Sequence, residues 1–223
     1  MNEFFDVTAD VSPNIPVEEI ENDHMCVIGI VQDCSGSMDC YTSDMVQSLN
    51  NFVKSIQDSK QDDEILVSVT TFDYTVKSSG FQNVADLDTS YQAHGATAMN
   101  DGIIVAGQQL MDYVKQLNDS GVRARGILVV FSDGEDNHSS HSSADVAKVI
   151  QELKRKEMIT AFVAFGHEAH GIADGLGIDK GNILETDASP SDLRKIWGIL
   201  SKSAISSSKS VAAGASQTSF FEV

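Results

Sequence analysis

Three short segments of this chain concentrate hydroxyl and carboxylate oxygens. The first, Asp33-Cys34-Ser35-Gly36-Ser37, sets two hydroxyls two residues apart behind a carboxylate, with a glycine between them that allows a tight turn. The second is Gly95-Ala96-Thr97 and the third Ser132-Asp133-Gly134. Asp33, Ser35, Ser37, Thr97 and Asp133 all offer hard oxygens, and a small hard cation such as Mg2+ takes about six of these while keeping some of its own waters. Asp33 and Asp133 together offset a divalent charge, so an ion held there stays electrophilic enough to accept a further carboxylate from outside. Cys34 is a poor ligand for a hard ion and reads as a small buried residue, although a redox bond to Cys40 would distort the loop. Taken one at a time, each segment has a plainer reading, since Ser, Thr and Asp favour turns and helix caps. Their joint occurrence favours the metal.

These segments matter only if the fold brings them together. Apolar runs at 25–31, 65–72, 127–131 and 159–165, with a short one at 182–185, predict strands, and their continuity predicts burial on both faces, as in a parallel sheet. Between them Met45, Leu49, Phe52 and Ile56, then Ile103, Ala106, Leu110 and Val114, then Val146, Val149, Ile150 and Leu153 form apolar stripes on otherwise polar helices. Ser189-Pro190-Ser191-Asp192 announces a last helix through Leu193, Ile196, Trp197 and Leu200, with a capping serine and a proline in the first turn. This alternation predicts an α/β fold: a doubly wound, Rossmann-like, mostly parallel central sheet with helices on both faces and one antiparallel edge strand within residues 74–81. Ligands of such sheets bind beyond the carboxyl ends of the strands, where the loops carrying all three segments fall.

The 223 residues hold 33 acids and 15 bases, a formal net charge of −18. Such a surface repels phosphate backbones, which disfavours nucleic acid as a partner and favours a cation. No apolar run reaches the roughly 18 to 20 residues of a membrane span, and the opening MNEFFDVTAD carries acids where an export signal carries bases. Cys26, Cys34 and Cys40 are an odd, crowded set rather than a disulfide framework, which fits a reducing, cytoplasmic address. Three parts are expected: an acidic N-terminal arm at 1–23, a folded domain at 24–205, and a Ser/Ala-rich tail at 206–223, whose Phe220-Phe221-Glu222-Val223 is a flexible end or a docking peptide.

Other residues admit chemistry less directly. His138 and His141, and likewise His167 and His170, stand three apart in expected loops near Glu135, Asp136 and Glu168; they read as solvated loop residues or as a second, imidazole-rich metal site. Asp101 lies near a predicted helix start, where a carboxylate favours the helix dipole, or supports Thr97. Signatures of rival enzymes fail. Cys40 occupies the place, six after Cys34, where a cysteine phosphatase carries arginine, and Ser35 the place where a phosphoaspartate phosphatase carries its second carboxylate. The chain has no Gly-x-Ser-x-Gly, no Gly-x-Gly-x-x-Gly and no Gly-x4-Gly-Lys-Ser/Thr.

Asp33-x-Ser35-x-Ser37, Thr97 and Asp133, in that order along an alternating α/β chain, resemble the metal-ion-dependent adhesion site (MIDAS) of the von Willebrand factor type A domain. The resemblance covers roughly residues 24–205, including the final Leu193-Arg-Lys-Ile-Trp-Gly-Ile-Leu200. It implies that Ser35, Ser37 and Thr97 supply hydroxyl ligands to Mg2+, with Mn2+ or Ca2+ as alternatives, while Asp33 and Asp133 bind directly or through water. It also implies a last coordination position that takes an Asp or Glu from a protein partner, without catalysis. Within the family the chain looks most like the bacterial TerY-like intracellular proteins, which work beside ATPases, phosphatases or stress-response complexes. Two alternatives stay open: a metal-dependent hydrolase using the same ion with one of the four histidines as base, and a structural subunit with a vestigial site.

Overall fold

Where the sequence alternates apolar runs with amphipathic stripes, the computed structural model alternates strands and helices. It describes residues 6–59, 61, 64–133, 136–165, 167–186, 189–215 and 220–221. The strands are β1 (Ala9–Val11), β2 (His24–Asp33), β3 (Ile65–Phe72), β4 (Val76–Ser78), β5 (Gln82–Asn83), β6 (Arg123–Ser132), β7 (Ile159–Phe165) and β8 (Ile183–Thr186). The helices are α1 (Thr42–Asp58), α2 (Met99–Asp119), α3 (Ser143–Arg155), α4 (His167–Gly175) and α5 (Pro190–Ala212). The strands form one sheet in the order β1-β4-β3-β2-β6-β7-β8, with β5 also paired to β3.

Central β2 runs parallel to β3, with Asp33 opposite Phe72, and parallel to β6, with Gln32 opposite Phe131. The chain therefore builds outward from β2 to one side and then crosses to the other. That reversal creates a topological switch point at the carboxyl ends of β2 and β6, the place where doubly wound sheets open a crevice. One face is covered by α2, α3 and α4, which bury Ile103, Leu110, Val149 and Ala173; the other is covered by α1 and α5, which bury Leu49, Phe52, Leu193 and Trp197. Close seating of α2 on β3 depends on Gly102, because a Cβ there would lie 2.8 Å from the Phe72 ring.

The ends of the chain depart from the expected division. Within residues 6–23, β1 pairs in parallel with β4, Ala9 opposite Val76, and Ser12 N–H donates to the Ser78 carbonyl at 2.9 Å, so this stretch is part of the sheet rather than a detached arm. Farther along, Phe81 N–H donates to Asn14 Oδ1 at 2.8 Å and the Tyr113 hydroxyl to the Ile15 carbonyl at 2.9 Å. Strand β4 does run antiparallel to β3, but β1 occupies the edge outside it. A three-residue strand held by backbone hydrogen bonds leaves no apolar alternation to read. At the other end, α5 continues to Ala212, past the expected limit at 205, because Ser203, Ser207 and Ser208 are small enough to be buried there.

Phe220 is fully buried in the α1/α5 side of the core, and its N–H donates to Asn182 Oδ1 at 2.8 Å. This corrects the expectation of a free end at that residue; Glu222 and Val223 lie outside the described residues. Phe220→Ala is expected to destabilise the protein by about 3 kcal/mol, measured as a lowered urea midpoint. An unchanged midpoint would mean that the ring does not hold this position in solution.

Candidate metal centre

Strand β2 delivers Asp33, fully buried, to the switch point. Its Oδ1 accepts the Ser35 backbone N–H at 2.9 Å, and its Oδ2 accepts the Ser132 hydroxyl at 2.7 Å, so the last residue of β6 fixes the carboxylate of β2 across the crevice. Beyond Asp33 the chain leaves the sheet and winds into a 3-10 turn, Gly36–Tyr41, anchored by buried Met38. That geometry brings Ser35 Oγ within 3.0 Å of Ser37 Oγ, with Ser35 buried and Ser37 exposed.

The second segment is stitched to the first through backbone groups. Gly36 N–H donates to the Gly95 carbonyl at 3.2 Å, and His94 N–H to the Cys34 carbonyl at 2.7 Å. Gly95 must be glycine on two counts: its φ is +84°, and a Cβ would lie 2.6 Å from the Tyr74 ring. Thr97, also buried, donates its N–H to Asn137 Oδ1 at 3.0 Å and accepts on its carbonyl from the N–H groups of Asn137 and His138 at 3.0 and 3.1 Å. Asp133 follows directly on β6, half-buried, near enough that its charge bears on Asp33. Gly134 lies outside the described residues.

Burial pushes the Asp33 carboxyl up to about 6; the hydrogen bonds from Ser35 and Ser132 pull the other way, and Asp133 adds a smaller upward push. Cys34 is pushed up to about 12, mainly by burial and then by Asp33 and Asp73, so its thiol stays neutral and takes no part as a hard-ion ligand. Tyr91, which no sequence signal marked, donates its hydroxyl to the Asp33 carbonyl and closes the loop from beneath.

The two described histidines of this set, His138 and His141, are each engaged elsewhere. His138 lies edge-on to Tyr74, ring centroids 5.3 Å apart, while His141 Nδ1 stands 2.7 Å from Asp101 Oδ1. His167 and His170 belong to the first turn of α4 rather than to a loop, and their side chains, with Glu135 and Glu168, lie outside the described residues. Among the described residues no group of three or more His, Cys, Asp and Glu is arranged to hold a metal, so the imidazole-rich site is not found there.

These observations define a class: a doubly wound α/β domain whose switch-point loops carry hydroxyl and carboxylate residues. Residues 28–196 match the model of the von Willebrand factor type A domain, and the chain belongs to that family. Among solved structures, the SpaC pilus adhesin of Lactobacillus rhamnosus GG superposes with a TM-score of 0.68 at 12% identity, over 82% of this chain and 30% of the adhesin. The proximal thread matrix protein 1 of the mussel byssus, with zinc in its MIDAS motif, gives 0.57 at 17% identity over 82% of this chain and 47% of that one. The manganese-loaded TRAP protein of Plasmodium vivax gives 0.54 at 18% identity over 78% and 72%. Likeness at these identities is one of fold, and this chain spans less than a third of the adhesin's length. No curated protein sequence matches it significantly.

Proposed function

We propose that this domain is a non-catalytic, divalent-metal-dependent protein-recognition module. Asp33, Ser35, Ser37, Thr97 and Asp133 would hold Mg2+, with Mn2+ or Ca2+ as alternatives, and leave one position for an Asp or Glu of a partner protein. The observation that carries this reading is the Ser35 and Ser37 hydroxyl pair, 3.0 Å apart beside a buried carboxylate whose hydrogen bonds come from neutral groups. Adjacent oxygens around an octahedral ion at about 2.1 Å stand roughly 3 Å from each other, so the pair has the spacing of two ligands of one small cation. When bound, such an ion supplies a positive centre that accepts a carboxylate oxygen. The protein's part is to orient the donors and keep the crevice floor dry. Metals in the mussel and Plasmodium relatives support a divalent occupant here.

The partner we infer is a protein rather than nucleic acid, in keeping with the charge of −18. A bacterial, cytoplasmic, TerY-like setting, beside an ATPase or phosphatase in a stress-response or assembly complex, is the narrower proposal. It is supported by three free cysteines, two of them buried. The hydrolase alternative gains no support from the two described candidate bases: His141 is engaged by Asp101, and His138 packs against Tyr74. Thr97→Ala is expected to weaken Mg2+ binding by about tenfold or more in calorimetric titration and to prevent chelator-sensitive capture of partners, with the melting temperature within a few degrees of wild type. Unchanged Mg2+ affinity in that variant would remove the reading.

A further inference from the structure

Helix α2 begins without a cap of its own. Ala98 occupies the N-cap position and offers no side-chain acceptor to the first-turn N–H groups. Those groups are instead met from the loop after β6. Asn100 N–H donates to Asp136 Oδ2 at 2.7 Å and Asp101 N–H to Ser139 Oγ at 3.1 Å, while the Ser139 hydroxyl donates to Asp136 Oδ2 at 2.6 Å.

The same helix end repays the loop in kind. Asp101, buried, turns its carboxylate away from its own helix: Oδ2 accepts the Ser140 N–H at 2.8 Å, and Oδ1 accepts the His141 N–H at 3.2 Å and lies 2.7 Å from His141 Nδ1. Asn100 Nδ2 donates to the His141 carbonyl at 3.1 Å. Each segment thus caps the other across some forty residues of sequence, and Asp101 binds two successive loop amides from the α2 side.

Thr97 sits one helical turn before Asp101, and its N–H and carbonyl are both taken by this loop, through Asn137 and His138. Asp133 lies at the loop's entrance from β6. Two of the proposed metal-binding side chains, which come from distant parts of the chain, are therefore held in register by one reciprocal clamp.

We propose that Asp101 is a positioning residue for the metal centre: by gripping residues 140 and 141 it fixes the loop after β6 against α2, and so fixes the orientation of Thr97 relative to Asp133. A favourable charge at the start of a helix would need no contact with the loop, yet both carboxylate oxygens are spent on the loop. The inference rests on the metal-binding reading above, and groups that orient a metal's ligands typically alter affinity by roughly 10- to 100-fold when removed.

The test uses Mg2+ alone as probe, in calorimetric titration of the full chain carrying Thr97→Ala, Asp101→Ala and both changes together. Asp101→Ala is expected to weaken Mg2+ binding by roughly tenfold, and the double variant to bind no more weakly than Thr97→Ala alone, since one change acts through the other. A merely structural role would lower the melting temperature while leaving the folded protein's affinity unchanged, or would add fully to Thr97→Ala; either result overturns the proposal. If Thr97→Ala itself leaves affinity unchanged, the metal reading fails instead, and the two failures are told apart. Should Asp101→Ala not fold, His141→Ala loosens the same clamp: weaker Mg2+ binding than wild type supports the proposal and unchanged binding overturns it.

Discussion

Replacing Asp33 by asparagine is expected to abolish Mg2+ binding and, at the same time, to stabilise the metal-free protein at neutral pH. Asp33 is fully buried, and burial raises its carboxyl from 3.8 to about 6. The folded state therefore favours the protonated acid. In the metal-free protein this group's contribution is most favourable below about pH 4 and is lost as pH rises through about 6. At neutral pH the displacement corresponds to a cost on the order of 3 kcal/mol for holding the charge. Asparagine removes that charge while keeping an oxygen for the Ser35 N–H and presenting an amide that Ser132 Oγ can accept. Urea denaturation in the presence of chelator should show a gain of about 1 to 2 kcal/mol, part of the cost being offset by imperfect amide geometry. Addition of Mg2+ should stabilise wild type and leave Asp33→Asn unmoved. An equal Mg2+-induced shift in the variant would show that the ion binds elsewhere. Stability given up at a binding site for the sake of a ligand is the usual pattern of such sites.

The second large effect is expected at Trp197. Its indole stacks on Phe131 with centroids 4.8 Å apart and planes 11° from parallel, and meets Phe52 edge-on at 5.7 Å. One side chain of α5 thus joins β6 and α1 in the core. Trp197→Ala is expected to cost about 3 to 5 kcal/mol through lost burial and the cavity left behind. Phe131 directly precedes Ser132, the donor to Asp33, so relaxation of the β6 backbone into the cavity would shift that donor. Mg2+ affinity should fall along with stability. Trp197→Phe keeps a stacked ring and removes an indole N–H that has no hydrogen-bond partner among the described residues, so it should cost less than about 2 kcal/mol. Urea denaturation followed by circular dichroism separates the two variants, and a loss below about 1 kcal/mol for Trp197→Ala would show that the ring is not an organising contact.

Most of the framework was legible because burial on both faces writes a strand as an unbroken apolar run. The runs at 65–72 and 159–165 coincide with β3 and β7, whereas those at 25–31 and 127–131 fell short of β2 and β6. Their extensions, Gln32 and Asp33 in one case and Arg123 to Gly126 in the other, pair through the backbone while their residue types break the apolar pattern. The capping serine of α5 was equally legible, since Ser189 Oγ accepts the Asp192 N–H at 3.2 Å in a contact between near neighbours. Asp101 shows the opposite case. Its acidic side chain at a helix start is explained locally by the helix dipole, yet its hydrogen-bond partners, Ser140 and His141, lie 39 and 40 residues away.

The sequence by itself determined the α/β class, the membership of Asp33, Ser35 and Ser37 in one turn, and the presence of hydroxyl and carboxylate donors suited to a hard cation. Local propensity and apolar periodicity act over a few residues, so these features survive in a one-dimensional reading. Only the tertiary structure decided that Ser132 and Tyr91 secure Asp33, that Gly95 is tied to Gly36, that the N-terminal segment closes the sheet edge, and that Phe220 returns to the core. Each of these is a contact between residues far apart in the chain, made through backbone groups or a single side chain. Such contacts exist because the folded chain must satisfy most of its buried polar groups and fill its apolar gaps, a condition set by the whole molecule rather than by any segment of it.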